Sequence, residues 1–439
     1  MFWLVDVISD ANVQWVLVGA VLLGISAGMT GCFAFLQKRS LTGDALAHAA
    51  LPGICTAFMI VQVRDPLALA IGATVSAYAG LLLIEWLTRG SRISKDTALA
   101  VVLSSFFAVG VFQLSLIQKT GNAAQSGLDK ILFGQAASLV RSDVNVLVAL
   151  SVLVVGALLV FFRRFTIVTF DRNAARAQGL SVRFYEGMFS FLLVLSIVIG
   201  VQLVGIVLMA ALLVVPASSA RYWTERLSVM LALAAAFGAL AGIGGVLVSA
   251  AAPRMPTGPW MVMVLSTIFT VSVLFAPERG VVQRAILRRV QRRKIADENI
   301  LRTAFKAGEA VGQARVSFDL GTVLRYRSLP EDEASDALRR LLRLGDVVSV
   351  GSNYQLSPKG YERAQRITRL HRLWETYLST QAQIPADHVH DDAEEIEHIL
   401  TPELERQILA EIAGSETDPH GKVIPSRLAV HTGKDEGAA

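Results

Sequence analysis

The chain has 439 residues, 53% of them hydrophobic and 18% charged, with a formal net charge of +5. Soluble domains carry about 25% charged residues, so this composition and a mean hydropathy of +0.51 exclude a wholly water-borne protein. Cys32 and Cys55 both lie in apolar segments and offer neither a disulfide framework nor a CxxC site. The first twelve residues carry Asp6 and Asp10 and no base, which does not read as a cleavable signal.

A membrane-crossing helix needs about 20 apolar residues at roughly 1.5 Å of rise each. In chain order the apolar windows fall at 13–36, 46–62, 66–87, 97–117, 143–163, 184–220, 228–250 and 258–276. The window 184–220 is too long for one comfortable crossing. It reads as one tilted helix or as two short ones broken near Val204-Gly205. Basic residues concentrate in cytosolic loops. With the acidic N-terminus outside, the loops holding Lys38 and Arg39, Arg89 to Lys95, and Arg163 to Arg183 are cytosolic. Nine spans put the basic stretch after residue 278 on that side too and are favoured. Eight spans, the alternative, put it outside.

Past Pro277 the character changes. Residues 278–296 pattern as a basic amphipathic helix, suited to anionic lipid headgroups or to a solvated linker. From Asp297 onward the chain is charged and helical in period. Residues 297–311 and 317–327 read as short helices, and Pro330 opens another that runs to about Leu344. Residues 347–357 alternate as a two-stranded hairpin around Gly351-Ser352-Asn353. Helices at 358–382, 386–400 and 402–413 follow, and the tail from 414 reads as irregular or disordered. Three helices and a hairpin make a winged helix-turn-helix pattern.

Several clusters carry chemistry. Asp44 and His48 are four apart and share one helix face. An ionisable pair entering a span is a functional candidate, and carboxylate plus imidazole suits Zn2+, Mn2+ or Fe2+. The alternative is a capping aspartate beside a histidine hydrogen-bonded inside the bundle. Between two spans, Asp171 can N-cap a short helix that Gly179 ends; such a helix is either a docking point for a soluble partner or an ordinary interfacial loop. Residues 204–220 hold small side chains and Pro216, which fits helix packing. In the soluble half, His371 and Glu375 are one turn apart, and His390, Glu394, Glu397 and His398 form one helical stripe. Two such helices bring oxygen and nitrogen ligands together, a set suited to Mn2+, Fe2+ or Zn2+. The phosphate-cradling run GxxxxGK[ST] does not occur, so ATP hydrolysis must come from another polypeptide. No HExxH or nucleophile elbow occurs either, and the chain reads as a non-enzyme.

The run from Gln37 to Gly53, with Gly43-Asp44-Ala45-Leu46-Ala47-His48 at its centre, resembles the signature of the ABC-3 family, the permease subunits of manganese, zinc and iron ABC importers. Phe170 to Leu180 resembles that family's coupling helix, and Val204 to Ala220 and Pro256-Thr257-Gly258-Pro259 match in type and order. The resemblance implies Asp44 and His48 on the metal path and Asp171, Ala174, Ala175 and Gly179 at the ATPase contact. It also implies an ABC ATPase subunit, a periplasmic or extracellular metal-binding protein, and a second permease subunit in a homodimer or heterodimer. The soluble half is similar to the diphtheria toxin repressor and manganese transport regulator family, through His371 to Glu375, His390 to His398, and Asp418 to Pro425. That similarity implies one metal position of His371, Glu375 and His390, and another of Glu394, Glu397 and His398, with Glu298 as a further ligand. Iron-type members have Cys where Glu394 stands, so Mn2+ is the favoured ion over Zn2+ and Fe2+. The would-be recognition helix starts with Glu331, Asp332, Glu333 and Asp336, which repel DNA phosphates. DNA binding is therefore expected to be weak or lost.

The expected fold is mainly α. A polytopic membrane bundle of eight or nine spans occupies 1–278, and a basic linker helix 279–296. A winged helix occupies 297–358, a metal-binding and dimerisation domain 359–425, and a disordered tail 426–439. The expected location is the plasma membrane with a cytosolic C-terminal domain. The expected function is metal import regulated by a fused sensor; the alternative is a membrane-tethered, DNA-binding regulator.

Overall fold

The computed structural model describes residues 11–90, 92–119, 134, 141–251, 255–277, 279–313, 316–326, 330–380, 402–412 and 417–425. The chain divides into two compact units, Met1–Arg284 and Ala285–Ala439.

In the first unit, α1 is Ala11–Leu36, α2 Ser40–Val61, α3 Pro66–Gly90, α4 Lys95–Lys119 and α5 Arg141–Val160. Two short helices follow, α6 (Phe162–Phe170) and α7 (Arg172–Ala177). Then come α8 Val182–Leu203, α9 Ile206–Trp223, α10 Leu227–Ala251 and α11 Thr257–Phe275. Among the described residues nine of these helices are long and apolar enough to cross a membrane, all but α6 and α7. The long window 184–220 is therefore two spans, α8 and α9. Between them Gly205 adopts φ +94° and ψ 164°, a region open essentially to glycine alone. Gly205→Ala is expected to cost about 1–3 kcal/mol, read as a lower melting temperature of the detergent-purified chain.

The bundle closes through small residues. A Cβ on Gly24 of α1 would lie 2.1 Å from the carbonyl oxygen of Gly238 in α10, and one on Gly28 would lie 2.4 Å from that of Ala234. Helix α2 meets α3 in the same way, with a Cβ on Gly53 falling 2.0 Å from the Gly72 carbonyl oxygen. Such backbone approach replaces the hydrophobic driving force that lipid does not supply.

Nine spans also sort the charges. Connections after odd-numbered spans hold Lys38 and Arg39, then Arg89, Arg92 and Lys95, then Arg163, Arg164, Arg172, Arg176 and Arg183, then Arg221 and Arg226, and finally the run from Arg279. Connections after even-numbered spans hold fewer: Arg64, then Lys119, Lys130 and Arg141, none at Val204-Gly205, then Arg254. The positive-inside bias puts the odd connections in the cytosol.

In the second unit, α12 (Val281–Val311) is one 31-residue helix. The sequence reading placed an element boundary at residue 297. What changes there is burial, not conformation. Arg284 to Arg293 are exposed, whereas Ala296, Asp297, Glu298, Ile300, Leu301 and Arg302 are buried. Helix α13 is Leu320–Tyr326 and α14 Glu331–Leu344, which ends at Gly345 with φ +72°. Strands β1 (Val347–Val350) and β2 (Asn353–Leu356) pair antiparallel, with Val347 opposite Leu356 and Val350 opposite Asn353. Ile300, Phe305, Val323, Leu338, Leu341, Val347 and Leu356 form the core of this winged helix. Helix α15 (Pro358–Thr380) carries Leu373 against Ile408 and Ile412 at the end of α16 (Pro402–Glu411), and against Ile424. Thr417 and Val423 form a bridge closed by Asp418, so this part of the expected irregular tail is a defined turn. The expected helix at 386–400 and the tail 426–439 lie outside the described residues.

Candidate functional site

Helix α2 begins two residues beyond Gln37-Lys38 and carries Asp44 and His48 on successive turns. His48 Nε2 stands 3.7 Å from Asp44 Oδ1. That is too long for a hydrogen bond and within the reach of two metal–ligand bonds of about 2.1 Å. The carboxylate side is the open one, with side-chain exposures of 37% for Asp44 and 14% for His48. Phe107 of α4 meets the His48 ring edge-on at 4.9 Å. The His48 Nδ1 atom is buried and has no hydrogen-bond partner among the described residues. The N-cap position of α2 is Arg39, with no side-chain cap bond, so Asp44 lies inside the helix and is not its cap.

The rest of the motif packs. Leu51 fills the space beside Gly110 of α4, where a Cβ would meet it at 2.6 Å, and Gly53 makes the close approach to α3. Cys55 Sγ donates to the Gly110 carbonyl at 3.6 Å. Past Thr42, Asp44 and His48 are thus the polar exception in a packing motif.

Next to the start of α2 lies a cleft of about 670 Å³, lined by Gln37, Lys38, Arg39, Asp171, Arg172 and Arg176 among others. Gln37 Nε2 donates to Thr169 Oγ1 at 3.1 Å, and Arg39 donates to Ser190 Oγ at 3.0 Å. Asp171 caps α7, its Oδ1 accepting from the amides of Asn173 and Ala174 at 2.9 Å each. Gly179, at φ +74°, ends the turn, and the Leu180 amide donates to the Ala175 carbonyl at 3.0 Å. Ala175 is fully buried and Ala174 half-buried, while Arg172, Asn173 and Arg176 are exposed. Arg172 pairs with Glu186 of α8 at 2.6 Å. A short, rigidly capped helix therefore presents a basic face at the cytosolic side.

In the second unit, His371 Nε2 lies 2.9 Å from Glu375 Oε1, both side chains nearly fully buried. The other ring nitrogen, Nδ1, is 2.8 Å from the guanidinium of Arg302, itself fully buried on α12. Glu298 is buried one turn before Arg302, with Lys294 Nζ at 3.9 Å. Among the described residues no group of three or more His, Cys, Asp or Glu is placed to hold a metal ion. Of the sensor residues expected from sequence, the structure brings His371 and Glu375 together. His390, Glu394, Glu397 and His398 lie outside the described residues. Arg302 was missed. Its sequence signal is an arginine inside the apolar run from Ile300 to Phe305, four residues after Glu298.

Two bases of the winged helix are paired with carboxylates, Arg340 in a half-buried contact and Arg339 at the surface. Arg340 of α14 donates to Asp297 at 2.8 Å, and Arg339 pairs with Asp336 on the same helix. Burial pushes the Asp297 carboxyl up, and the bond from Arg340 opposes it. Glu331, Asp332 and Glu333 occupy the first turn of α14.

A nine-span bundle with a polar pair on its second helix and a capped cytosolic helix defines a polytopic membrane permease. Residues 9–276 match the ABC 3 transport family, and the chain belongs to that family and is a multi-pass plasma-membrane protein. Residues 357–426 match the iron dependent repressor metal binding and dimerisation domain. The chain is 37% identical over 374 residues to the manganese transport system membrane protein MntC of Bacillus subtilis, covering 85% of each. It is 40% identical over 289 residues to the zinc transport system membrane protein TroC of Treponema pallidum, covering 66% of this chain and 97% of that one. PsaBC from Streptococcus pneumoniae, solved in complex with Fab, matches with a TM-score of 0.58 and 30% identity, over 65% of this chain and 98% of that one.

Proposed function

We propose that this chain is the permease subunit of an ABC importer that moves a divalent transition metal into the cytosol, Mn2+ before Zn2+ or Fe2+. The observation that carries the reading is the Asp44–His48 pair, with its 3.7 Å gap and the unpartnered Nδ1 of His48. A cation leaving water inside a bundle needs replacement ligands, and a carboxylate with an imidazole supplies charge and a lone pair. The names of the relatives, manganese and zinc transport proteins, support the cargo class.

A separate ATPase subunit docks on α7, whose ends Asp171 and Gly179 hold and whose exposed face carries Arg172, Asn173 and Arg176 beside half-buried Ala174; Ala175, expected at the contact, is fully buried and anchors the helix instead. A periplasmic or extracellular metal-binding protein delivers the ion, and a second permease subunit, identical or paralogous, completes the pathway. The C-terminal domain lies in the cytosol after the ninth span and acts as a metal-responsive regulator. Its metal-binding residues are drawn from His371, Glu375, His390, Glu394, Glu397 and His398, with Glu298 as a further ligand. Metal there biases transport only by binding one permease state better than another. The alternative, a DNA-binding regulator, is disfavoured by the acidic start of α14 and the half-buried pairing of Arg340 with Asp297.

Uptake of labelled Mn2+ into proteoliposomes holding the full complex tests the reading. Uptake should require ATP and the binding protein, and Zn2+ should compete less well than unlabelled Mn2+. A stronger effect of Zn2+ would reverse the metal order. Mn2+ on the cytosolic face should slow the wild type and leave His398→Ala unaffected; equal responses would remove the sensor role. A gel shift with Mn2+ should show no sequence-selective DNA binding.

A further inference from the structure

We infer that Arg302 is a built-in cation that stands in for a metal ion at His371 and Glu375, so that this position of the domain takes no metal. The resemblance to metal-dependent repressors assigns His371, Glu375 and His390 to a metal position, and the described residues do not fit one.

The conflict is one of lone pairs. A neutral imidazole has one ring nitrogen with a free lone pair and one that carries hydrogen. A guanidinium has five N–H donors and no acceptor, and does not deprotonate in proteins. At 2.8 Å from Arg302, His371 Nδ1 must therefore be the acceptor. Nε2 then carries the hydrogen and donates to Glu375 Oε1 at 2.9 Å. Both ring nitrogens are engaged, and neither has a lone pair for a metal. The reverse arrangement fails as well. A histidine bound to metal through Nε2 carries hydrogen on Nδ1 and normally donates it to a carboxylate, carbonyl or water. Here that hydrogen would face an N–H donor.

Burial makes the arrangement hard to escape. Arg302 and His371 are exposed by 0% and 1%, and Glu375 by 2%. Arg302 sits between Leu301 and Thr303 on a helix whose same stretch buries Ile300 and Phe305 in the core, so its placement is fixed by packing. A buried cation is tolerated when hydrogen-bonded and balanced by an anion. The Arg302–His371–Glu375 chain provides both, with the positive charge at one end and the carboxylate at the other. A guanidinium carries one positive charge against a divalent ion's two, so it neutralises the single carboxylate Glu375, and it is a side chain that cannot leave. The position is thus permanently filled, and any metal response falls to Glu394, Glu397 and His398, which rests on the sensor reading above.

Bound Mn2+ per full-length chain, measured by equilibrium dialysis and elemental analysis of the detergent-purified protein, tests the inference. Wild type and His371→Ala should bind the same number of ions. Arg302→Met, which keeps the volume and removes the donors, should bind one more, and the double variant Arg302→Met/His371→Ala should lose that ion again. Loss of one ion in His371→Ala alone would overturn the inference, as would an Arg302→Met protein that elutes and melts like wild type yet gains none. If Arg302→Met does not fold, the comparison of wild type with His371→Ala decides. His398→Ala separates the two readings: its loss of one ion reports the other position, and no loss removes the sensor role without touching Arg302.

Discussion

His48→Ala is expected to reduce Mn2+ uptake by the reconstituted complex far more than it disturbs the fold. Loss of a group that merely supports a metal ligand costs about 10–100-fold in affinity or activity, and loss of a ligand itself is expected to exceed that. The stability cost should be small for a specific reason. Nδ1 of His48 has no hydrogen-bond partner among the described residues, so no such bond there is broken. The ring's described contact is the edge of Phe107 at 4.9 Å. Asp44→Asn keeps the shape and removes the charge, and should fall with it. Substituting Gly53 instead should give the opposite signature. A Cβ there would strike the Gly72 carbonyl at 2.0 Å, so the protein should fail to assemble. Uptake by well-folded His48→Ala at the wild-type rate would sink the proposed ion path.

Much of the bundle was legible because lipid imposes a simple rule: enough apolar residues, then a basic connection on one side. The one ambiguous window, 184–220, needed a second cue. Apolar content does not distinguish one long helix from two, but a glycine at the midpoint does once its backbone is known to sit at φ +94°. The short helix α6 was not anticipated. It follows α5 after the single turn residue Phe161, and its apolar residues had been read partly as the end of the span. In the soluble unit the hairpin and α14 were readable from Pro330, Gly345 and Gly351. No helix break occurs at residue 297; the change from basic to apolar composition there marks where α12 becomes buried.

The candidate sites were legible unevenly, for chemical reasons. Asp44 and His48 stand out because ionisable side chains are rare within a span. Glu375 and His371 stand out because their spacing matches a helical turn. Arg302 was invisible to the same reasoning, since a search for ligands passes over a residue that can only donate. Yet it decides what His371 can do. Pattern finds the anions and lone pairs of a site; only contacts show whether a fixed cation has already claimed them.

Removing the cap of α7 is the second change expected to have a large effect. The helix has six residues, far below the 12–15 or so at which an isolated helix is marginal in water. Its geometry depends on its ends. Asp171 satisfies two of its first amides, at 2.9 Å each, and a capping Asp replaced by Ala typically costs about 0.5–2 kcal/mol. Against a helix this short, about 1–2 kcal/mol shifts the ratio of ordered to disordered helix by about 5–30-fold. Asp171→Ala should therefore loosen the surface formed by Arg172, Asn173 and Arg176 while the bundle, held by buried Ala175 and the spans, stays intact. In the reconstituted complex, Mn2+ moved per ATP hydrolysed should fall several-fold, and Asp171→Asn or Asp171→Ser, which keep an acceptor at the cap, should restore most of it. A ratio unchanged in Asp171→Ala would show that α7 does not carry the coupling.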